Sequence, residues 1–415
     1  MKSSISSAPA VIAPSARRAT TIEAQPVRVF LVAGEASGDQ LGASLIRALR
    51  AVDPTIEFAG VGGARMAAEG VPSLFPLSDI AVMGLGPVIR RLPTILRRMG
   101  ETVRAVKAFR PDVLVTIDSP DFSKRVAKRV RAANPAQATV HWVCPSVWAW
   151  RPGRAPAMKP FIDHVLCLLP FEPEALRRLK GPAGTYIGHP AVERLAEFRP
   201  QTEEEAASRA DLVKPTVLVL PGSRMSEIRR LLPEFLETLP LATPAGMNPD
   251  WVIPTLPHLE ADVRGRVAAS GLPIRVVVGE VEKLAAFRRA RAALAASGTV
   301  TLELALAQIP TVAAYRVAEW EAFIARRLIT ASSAILPNLV LGERLVPEFI
   351  QEEMGPLSLA PRLHELLLES PARQRQLEGF ARLQAIMKPA EARPPSALAA
   401  GIVFDLARKA PLFQA

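Results

Sequence analysis

Twice along this chain, short β-branched and aliphatic runs alternate with helical stretches, and no other feature restricts the fold as much. In the first series, Val27 to Ala33, Ile56 to Val61, Val113 to Ile117, Val140 to Val143 and His164 to Leu168 predict strands. Helices are predicted at Asp39 to Arg50 and Phe122 to Ala133. The second series predicts strands at Thr216 to Leu220, Trp251 to Pro254, Ile274 to Val278, Ala292 to Ala296 and Thr311 to Ala314. Helices at Glu227 to Thr238 and Thr299 to Ala307 lie between them. Strands joined by helices run parallel, and the helices then cover both faces of the sheet. The expected fold class is therefore α/β, with two Rossmann-like doubly wound domains facing a cleft. Ligands in such folds sit beyond the carboxyl ends of the strands.

The expected division is an N-terminal extension over 1–25, one α/β domain over 26–195, a second over 196–370, and a helical, Pro-interrupted segment over 371–415. Between the series lies RPQTEEEAASRADLVKP, charged and Pro-flanked, which shows no core pattern. The opening MKSSISSAPAVIAPSARRAT lacks a long apolar core, so it reads as a disordered extension rather than a signal peptide. No run of ~18 apolar residues occurs, so no membrane span is predicted. Cys144 and Cys167 lie in apolar runs and suit core thiols in a reducing cytoplasm. The net charge of +11 over 415 residues points to an anionic partner: acidic lipid, nucleotide phosphate or nucleic acid.

Three strand-to-helix junctions carry small residues. LVAGEASGDQLG presents Gly34, Glu35, Ser37 and Gly38; VLVLPGSRMSEI presents Gly222, Ser223 and Arg224; ALAASGTVTLE presents Ser297, Gly298 and Thr299. A helix N-terminus leaves free N–H groups and a partial positive charge, and glycine lets an anion approach the backbone. Arg224 adds a planar fork suited to phosphate oxygens. Turn chemistry alone also places small residues after strands. Glu303, one turn into the third helix among Ala and Leu, is placed to accept bonds from ribose hydroxyls. No GxGxxG or GxxxxGK[ST] spacing is present, so a nucleotide-sugar site fits better than NAD or ATP, and no cofactor is expected.

Asp118, at the end of a buried strand in VTIDSPDF, is the candidate general base toward a sugar hydroxyl. Asp121 has a competing role as a helix N-cap. Glu35 faces either the donor or the acceptor. His189 in YIGHP reads as structural, and the five histidines show no ligand spacing, so no metal is expected.

In GLGPVIRRLPTILRRMG, at 100° per residue, Val88, Ile89, Leu92, Ile95, Leu96 and Met99 form one stripe. Arg90, Arg91, Arg97 and Arg98 fall opposite. A basic face beside an aliphatic one suits anionic lipid headgroups over an acyl boundary, although an amphipathic core helix shows the same pattern. Pro93 predicts a kink or a new helix start. Trp148 and Trp150, beside Arg151 and Arg154 in CPSVWAWRPGR, either line an acyl or sugar pocket or pack the domain.

Ten blocks in order resemble the lipid-A-disaccharide synthase family: LVAGEASGDQLGASLIRAL, GVGGARMAAEG, VMGLGPVI, TIDSPDF, CPSVWAWRPGR, LPFEPE, YIGHP, LPGSRMSEI, ASGTVTLELAL and LPNLVLGERLVPEFIQEE. The resemblance runs from about Val27 to about Met354. It implies a GT-B fold and metal-free, inverting transfer of 2,3-diacylglucosamine from UDP to 2,3-diacylglucosamine 1-phosphate, giving a β-1,6-linked disaccharide and UDP. It implies that Asp118 is the base on the acceptor 6-hydroxyl and that Arg224 and Asn338 serve activity or UDP binding; analogy with GT-B enzymes gives Glu303 the ribose. A peripheral place on anionic lipids at the inner face of the inner membrane follows, with a homodimer left open and no nucleic-acid partner. A related enzyme acting on UDP-N-acetylglucosamine would share the phosphate loops without needing an acyl surface. A basic protein binding nucleic acid or membrane would share only the charge.

Overall fold

The computed structural model describes residues 25–80, 85–328, 331–389, 391 and 393–409; within these, the side chains of 85–90, 120 and 324–327 are outside the description. Most of the expected N-terminal extension, residues 1–24, lies outside the described residues.

Two six-stranded sheets form, and every strand pairing in them is parallel. The first holds β1 (Arg28–Ala33), β2 (Glu57–Val61), β3 (Val113–Ile117), β4 (Ala138–Trp142), β5 (His164–Cys167) and β6 (Ala183–Tyr186). The second holds β7 (Thr216–Leu220), β8 (Asp250–Thr255), β9 (Ile274–Val278), β10 (Ala290–Ala296), β11 (Thr311–Tyr315) and β12 (Glu348–Ile350). The ten predicted strands are all present. β6 and β12 escape the sequence pattern because they are short edge strands whose residues stay partly exposed.

Strand order decides where ligands can sit. The first sheet runs β2-β1-β3-β4-β5-β6, so the winding reverses between β1 and β3. The second runs β12-β11-β10-β7-β8-β9 and reverses between β7 and β10. At such a reversal the flanking loops lead to opposite faces of the sheet, leaving a crevice at the strand ends. The loops carrying Gly34, Asp118, Gly222 and Gly298 follow those four strands directly.

The charged segment between the sheets is more ordered than its composition suggests. Phe198 is fully buried, and Glu203–Ala210 is a helix whose first turn is capped by the Thr202 side chain accepting from Glu205 N–H. The Glu205 carboxylate accepts from Gln201 N–H and pairs with Arg288 at 2.7 Å. The Thr-x-x-Glu spacing is a capping signal that outweighs the missing apolar stripe.

The C-terminal residues divide between the sheets. Helix Pro371–Met387 buries Phe380, Leu383 and Met387 against the second. Helix Pro395–Lys409 returns to the first, where Ala399, Ala400 and Val403 pack with β1, β3 and helix Ala36–Val52.

Leu85–Phe109 is one continuous helix through Pro93, so of the expected kink or new helix start, the new start does not form. Its apolar stripe is shared between two environments. Met99 is buried and Ile95 packs on the core beneath β1 and β3, whereas Leu92 and Leu96 are 41% and 42% exposed. The basic face is likewise divided. Arg98 turns inward to Asp79 and Glu101, each at 2.7 Å, over the Phe75 ring, and Arg91 donates to Ser78 O, while Arg97 is exposed. The side chains of Val88, Ile89 and Arg90 lie outside the described residues. Among the described residues no helix is long and apolar enough to cross a membrane.

Candidate active site

Asp118 sits where β3 ends, and both it and Ser119 adopt left-handed backbone, φ 51° and 42°. Non-glycine residues hold that conformation at a cost, which surrounding contacts must offset. Ser119 N–H donates to Asp118 Oδ1 at 2.8 Å and Ser37 Oγ–H to Oδ2 at 3.0 Å, so both carboxylate oxygens are oriented. Gly34 makes this junction possible, because a Cβ there would lie 2.2 Å from Ser119 Cβ. The predicted cap role of Asp121 is not what forms: Ser119 holds the N-cap position, and Asp121 is exposed in the first turn, 3.9 Å from Arg154. The cap position is taken by the residue whose backbone turns into the helix, two places earlier than the pattern suggested.

Glu35 lies beside this pair. Burial, then the Asp118 charge, raises its pKa, and Arg224 pulls it back. Arg224 belongs to the loop after β7, so a charge from the second sheet's reversal acts at the first; Gly34, Glu35, Ser37 and Asp118 themselves are not among the residues lining the large cleft. The cleft encloses about 1740 Å³, above the ~300–1,000 Å³ typical of small-ligand pockets. Gly222, Ser223, Arg224, Ser297, Gly298, Thr299 and Glu303 all line it, with Trp148, Trp150 and Arg151 from the first domain.

The phosphate-loop geometry differs from the simple expectation of free N–H groups. Glu227 Oε2 accepts from Ser223 N–H at 2.8 Å and Arg224 N–H at 3.2 Å, while Oε1 pairs with Arg224 Nη1 at 3.2 Å. A carboxylate from the next helix turn therefore occupies the anion position. Gly222, at φ 114°, permits it: a Cβ there would lie 2.3 Å from Glu227 Oε2. In the third loop Ser297 Oγ–H donates to Ala334 O, anchoring the loop rather than facing the cleft as a free donor. Glu303 pairs with Lys283 at 2.8 Å, a partner that sequence spacing does not show.

Asn338 is buried outside the cleft lining. Its amide donates to Val346 O and accepts from Val346 N–H, clamping the turn that leads to β12. This placement makes Asn338 a clamp between helix Leu336–Leu341 and the chain before β12. His189 is also structural: Nδ1 accepts from Ala191 N–H, and burial holds its pKa down to about 4.

The fold also gathers three groups that spacing could not connect. The Cys144 and Cys167 thiols and the Glu172 carboxylate lie within 4.8 Å of one another, all buried. Glu172 accepts from Leu168 N–H, Leu169 N–H and Trp148 Nε1–H, and burial pushes its pKa up to about 7. It thereby props Trp148, a cleft residue, against Phe171 with ring centroids 5.0 Å apart.

Solved structures similar in fold include a putative UDP-N-acetylglucosamine 2-epimerase from Listeria monocytogenes, with TM-score 0.59, 14% identity and 92% and 96% of the two chains covered. MurG of Acinetobacter baumannii aligns with TM-score 0.53, 14% identity and 92% and 100% coverage. Both sheets thus belong to a GT-B-type arrangement. Among curated relatives, the lipid-A-disaccharide synthase of Nitrobacter hamburgensis is 54% identical over 379 residues, 91% of this chain and 95% of that one. That of Rhodospirillum centenum is 43% identical over 389 residues, 93% and 96%. A family model described as Lipid-A-disaccharide synthetase matches residues 29–400. With identity at this level along nearly the whole length, the chain belongs to the lipid-A-disaccharide synthase family of glycosyltransferases.

Proposed function

We propose that this enzyme transfers 2,3-diacylglucosamine from UDP to the 6-hydroxyl of 2,3-diacylglucosamine 1-phosphate, inverting the anomeric centre. The observation that carries it is the oriented Asp118 carboxylate on the first domain, with Arg224 of the second domain acting on the charge of its neighbour Glu35. Membership of the family supplies the reaction class.

In this mechanism the acceptor oxygen attacks the anomeric carbon from the face opposite UDP. The new C–O bond forms as the bond to the diphosphate breaks, and Asp118 takes the hydroxyl proton. Ser37 and Ser119 hold the carboxylate in one orientation while it does so. Negative charge grows on the departing diphosphate. Arg224 and the N–H groups of Ser223 and Arg224 stabilise it once Glu227 moves aside. Glu303 receives the ribose hydroxyls when Lys283 is drawn to phosphate. The exposed Leu92 and Leu96, beside Arg97, rest the enzyme on anionic lipid at the inner face of the inner membrane.

The test is incubation with both lipid substrates, with and without chelator. Disaccharide and UDP should form in equal amounts in either condition, and Asp118→Asn should remain folded while losing about 10²–10⁴ in turnover. Normal turnover by a folded Asp118→Asn enzyme would overturn the base assignment. Turnover of UDP-N-acetylglucosamine alone would overturn the substrate.

A further inference from the structure

We infer that Arg151, Arg154 and Lys124 form the subsite that grips the phosphate monoester of the acceptor, an assignment that rests on the sugar 1-phosphate acceptor proposed above. Arg151 and Arg154 bring their guanidinium carbons within 4.5 and 4.9 Å of the Trp150 ring centroid, so one indole gathers two cations. Trp150 and Arg151 both line the cleft. Arg151 is held in left-handed backbone at φ 52°, a conformation that costs energy for a non-glycine residue.

Lys124 joins them from the helix that starts directly after Asp118. It is half-buried, and burial together with the Arg154 charge depresses its pKa, which an approaching anion would relieve. Among the described residues, the one carboxylate recorded against this group is Asp121, 3.9 Å from Arg154 and largely exposed. Three cations against one carboxylate leave two positive charges. A phosphate monoester carries about −1.5 to −2 near neutrality, so the charges match.

Position favours the acceptor over the UDP diphosphate. All three cations sit on the first domain, Lys124 on the helix that follows Asp118 and Arg154 3.9 Å from Asp121, whereas Arg224 and the Gly222 and Gly298 loops lie on the second, across the cleft that Arg151 also lines. Lys124 lies one turn into the helix that follows Asp118, ~6 Å of rise beyond its first residue, Pro120. An acceptor with its hydroxyl at Asp118 and its phosphate toward the Trp150 cluster would lie along this first turn.

The experiment uses the full-length enzyme with Arg151→Met and Arg154→Met. Arg151 is exposed, so the first substitution leaves the core untouched. Each variant is assayed with the phosphorylated acceptor and with the same acceptor lacking its 1-phosphate. UDP affinity and co-sedimentation with phosphatidylglycerol vesicles are measured in parallel. Loss of one charge-assisted contact should raise KM for the phosphorylated acceptor about tenfold or more. kcat/KM for the unphosphorylated acceptor should fall by a smaller factor, and UDP affinity and vesicle binding should stay as in wild type. Equal losses on both acceptors would overturn the subsite, as would weakened UDP binding, which would assign the cations to the diphosphate. Lost vesicle binding with unchanged acceptor KM would assign them to lipid headgroups. Wild-type enzyme forming no product with either acceptor would instead overturn the proposed reaction, and the subsite with it.

Discussion

Ser37 Oγ–H donates to Asp118 Oδ2 at 3.0 Å, joining the first turn of helix Ala36–Val52 to the end of β3 across 81 residues of sequence. The contact fixes the carboxylate without adding charge. Ser37→Ala should leave the fold intact and lower kcat about tenfold, an effect of the size expected for a lost hydrogen bond to a charged group, with little change in UDP affinity. Steady-state kinetics beside a UDP titration separates the two. A loss confined to UDP affinity would place Ser37 on the donor side.

Glu227 holds the N–H groups that a diphosphate needs. In Glu227→Gln the competing negative charge is gone while a weaker carbonyl contact remains. UDP should bind roughly fivefold more tightly, ~1 kcal/mol, and the domain should lose ~1 kcal/mol from the weakened cap. Calorimetric titration and thermal melts read both. Weaker UDP binding would mean that the carboxylate shapes the loop and does not merely fill it.

Glu172 gives the fold a pH dependence. Burial raises its folded pKa to about 7, while an unfolded glutamate titrates near ~4.3. The native state therefore holds the proton more tightly than the unfolded chain. Stability from this group is fully present below pH ~4.3 and declines as pH rises to about 7, by an amount on the order of 3 kcal/mol. Glu172→Gln should flatten that slope and cost one hydrogen bond at acid pH: with its carbonyl oxygen on Leu168 and Leu169 N–H, its NH2 faces Trp148 Nε1–H and cannot accept from it. Melting temperatures at pH 4.5 and 7.5 decide it: parallel shifts in wild type and variant would remove Glu172 as the cause.

Leu92 and Leu96 are the described part of the apolar stripe that the core leaves uncovered. Leu92→Ser with Leu96→Ser should reduce binding to anionic vesicles about tenfold, the result of losing ~1.4 kcal/mol of apolar burial. Turnover on detergent-dispersed substrates should persist. Met99→Ser should instead destabilise the domain, because Met99 is buried.

Asn338 reaches function through β12. Asn338→Ala removes both bonds to Val346 and should cost about 1–3 kcal/mol of stability. Any fall in UDP affinity should accompany that loosening, and protease sensitivity near Val346 reads it directly. Lost UDP affinity with unchanged stability would point to direct contact.

The strands, the three small-residue junctions and the strand-end position of Asp118 were legible in the sequence because each depends on short-range physics. Side-chain alternation, helix starts and glycine backbone freedom act over a few residues. The Thr202–Glu205 cap was equally local and shows what a pattern search for apolar stripes passes over. Tertiary structure alone decided the rest. Which loops face each other follows from strand order, so no spacing could reveal Ser37 on Asp118, Lys283 on Glu303 or Glu172 beneath Trp148. The amphipathic helix makes the same point on the surface. Its sequence set the stripe, but the sheet's demand for burial took Ile95 and Met99 and left Leu92 and Leu96 in solvent.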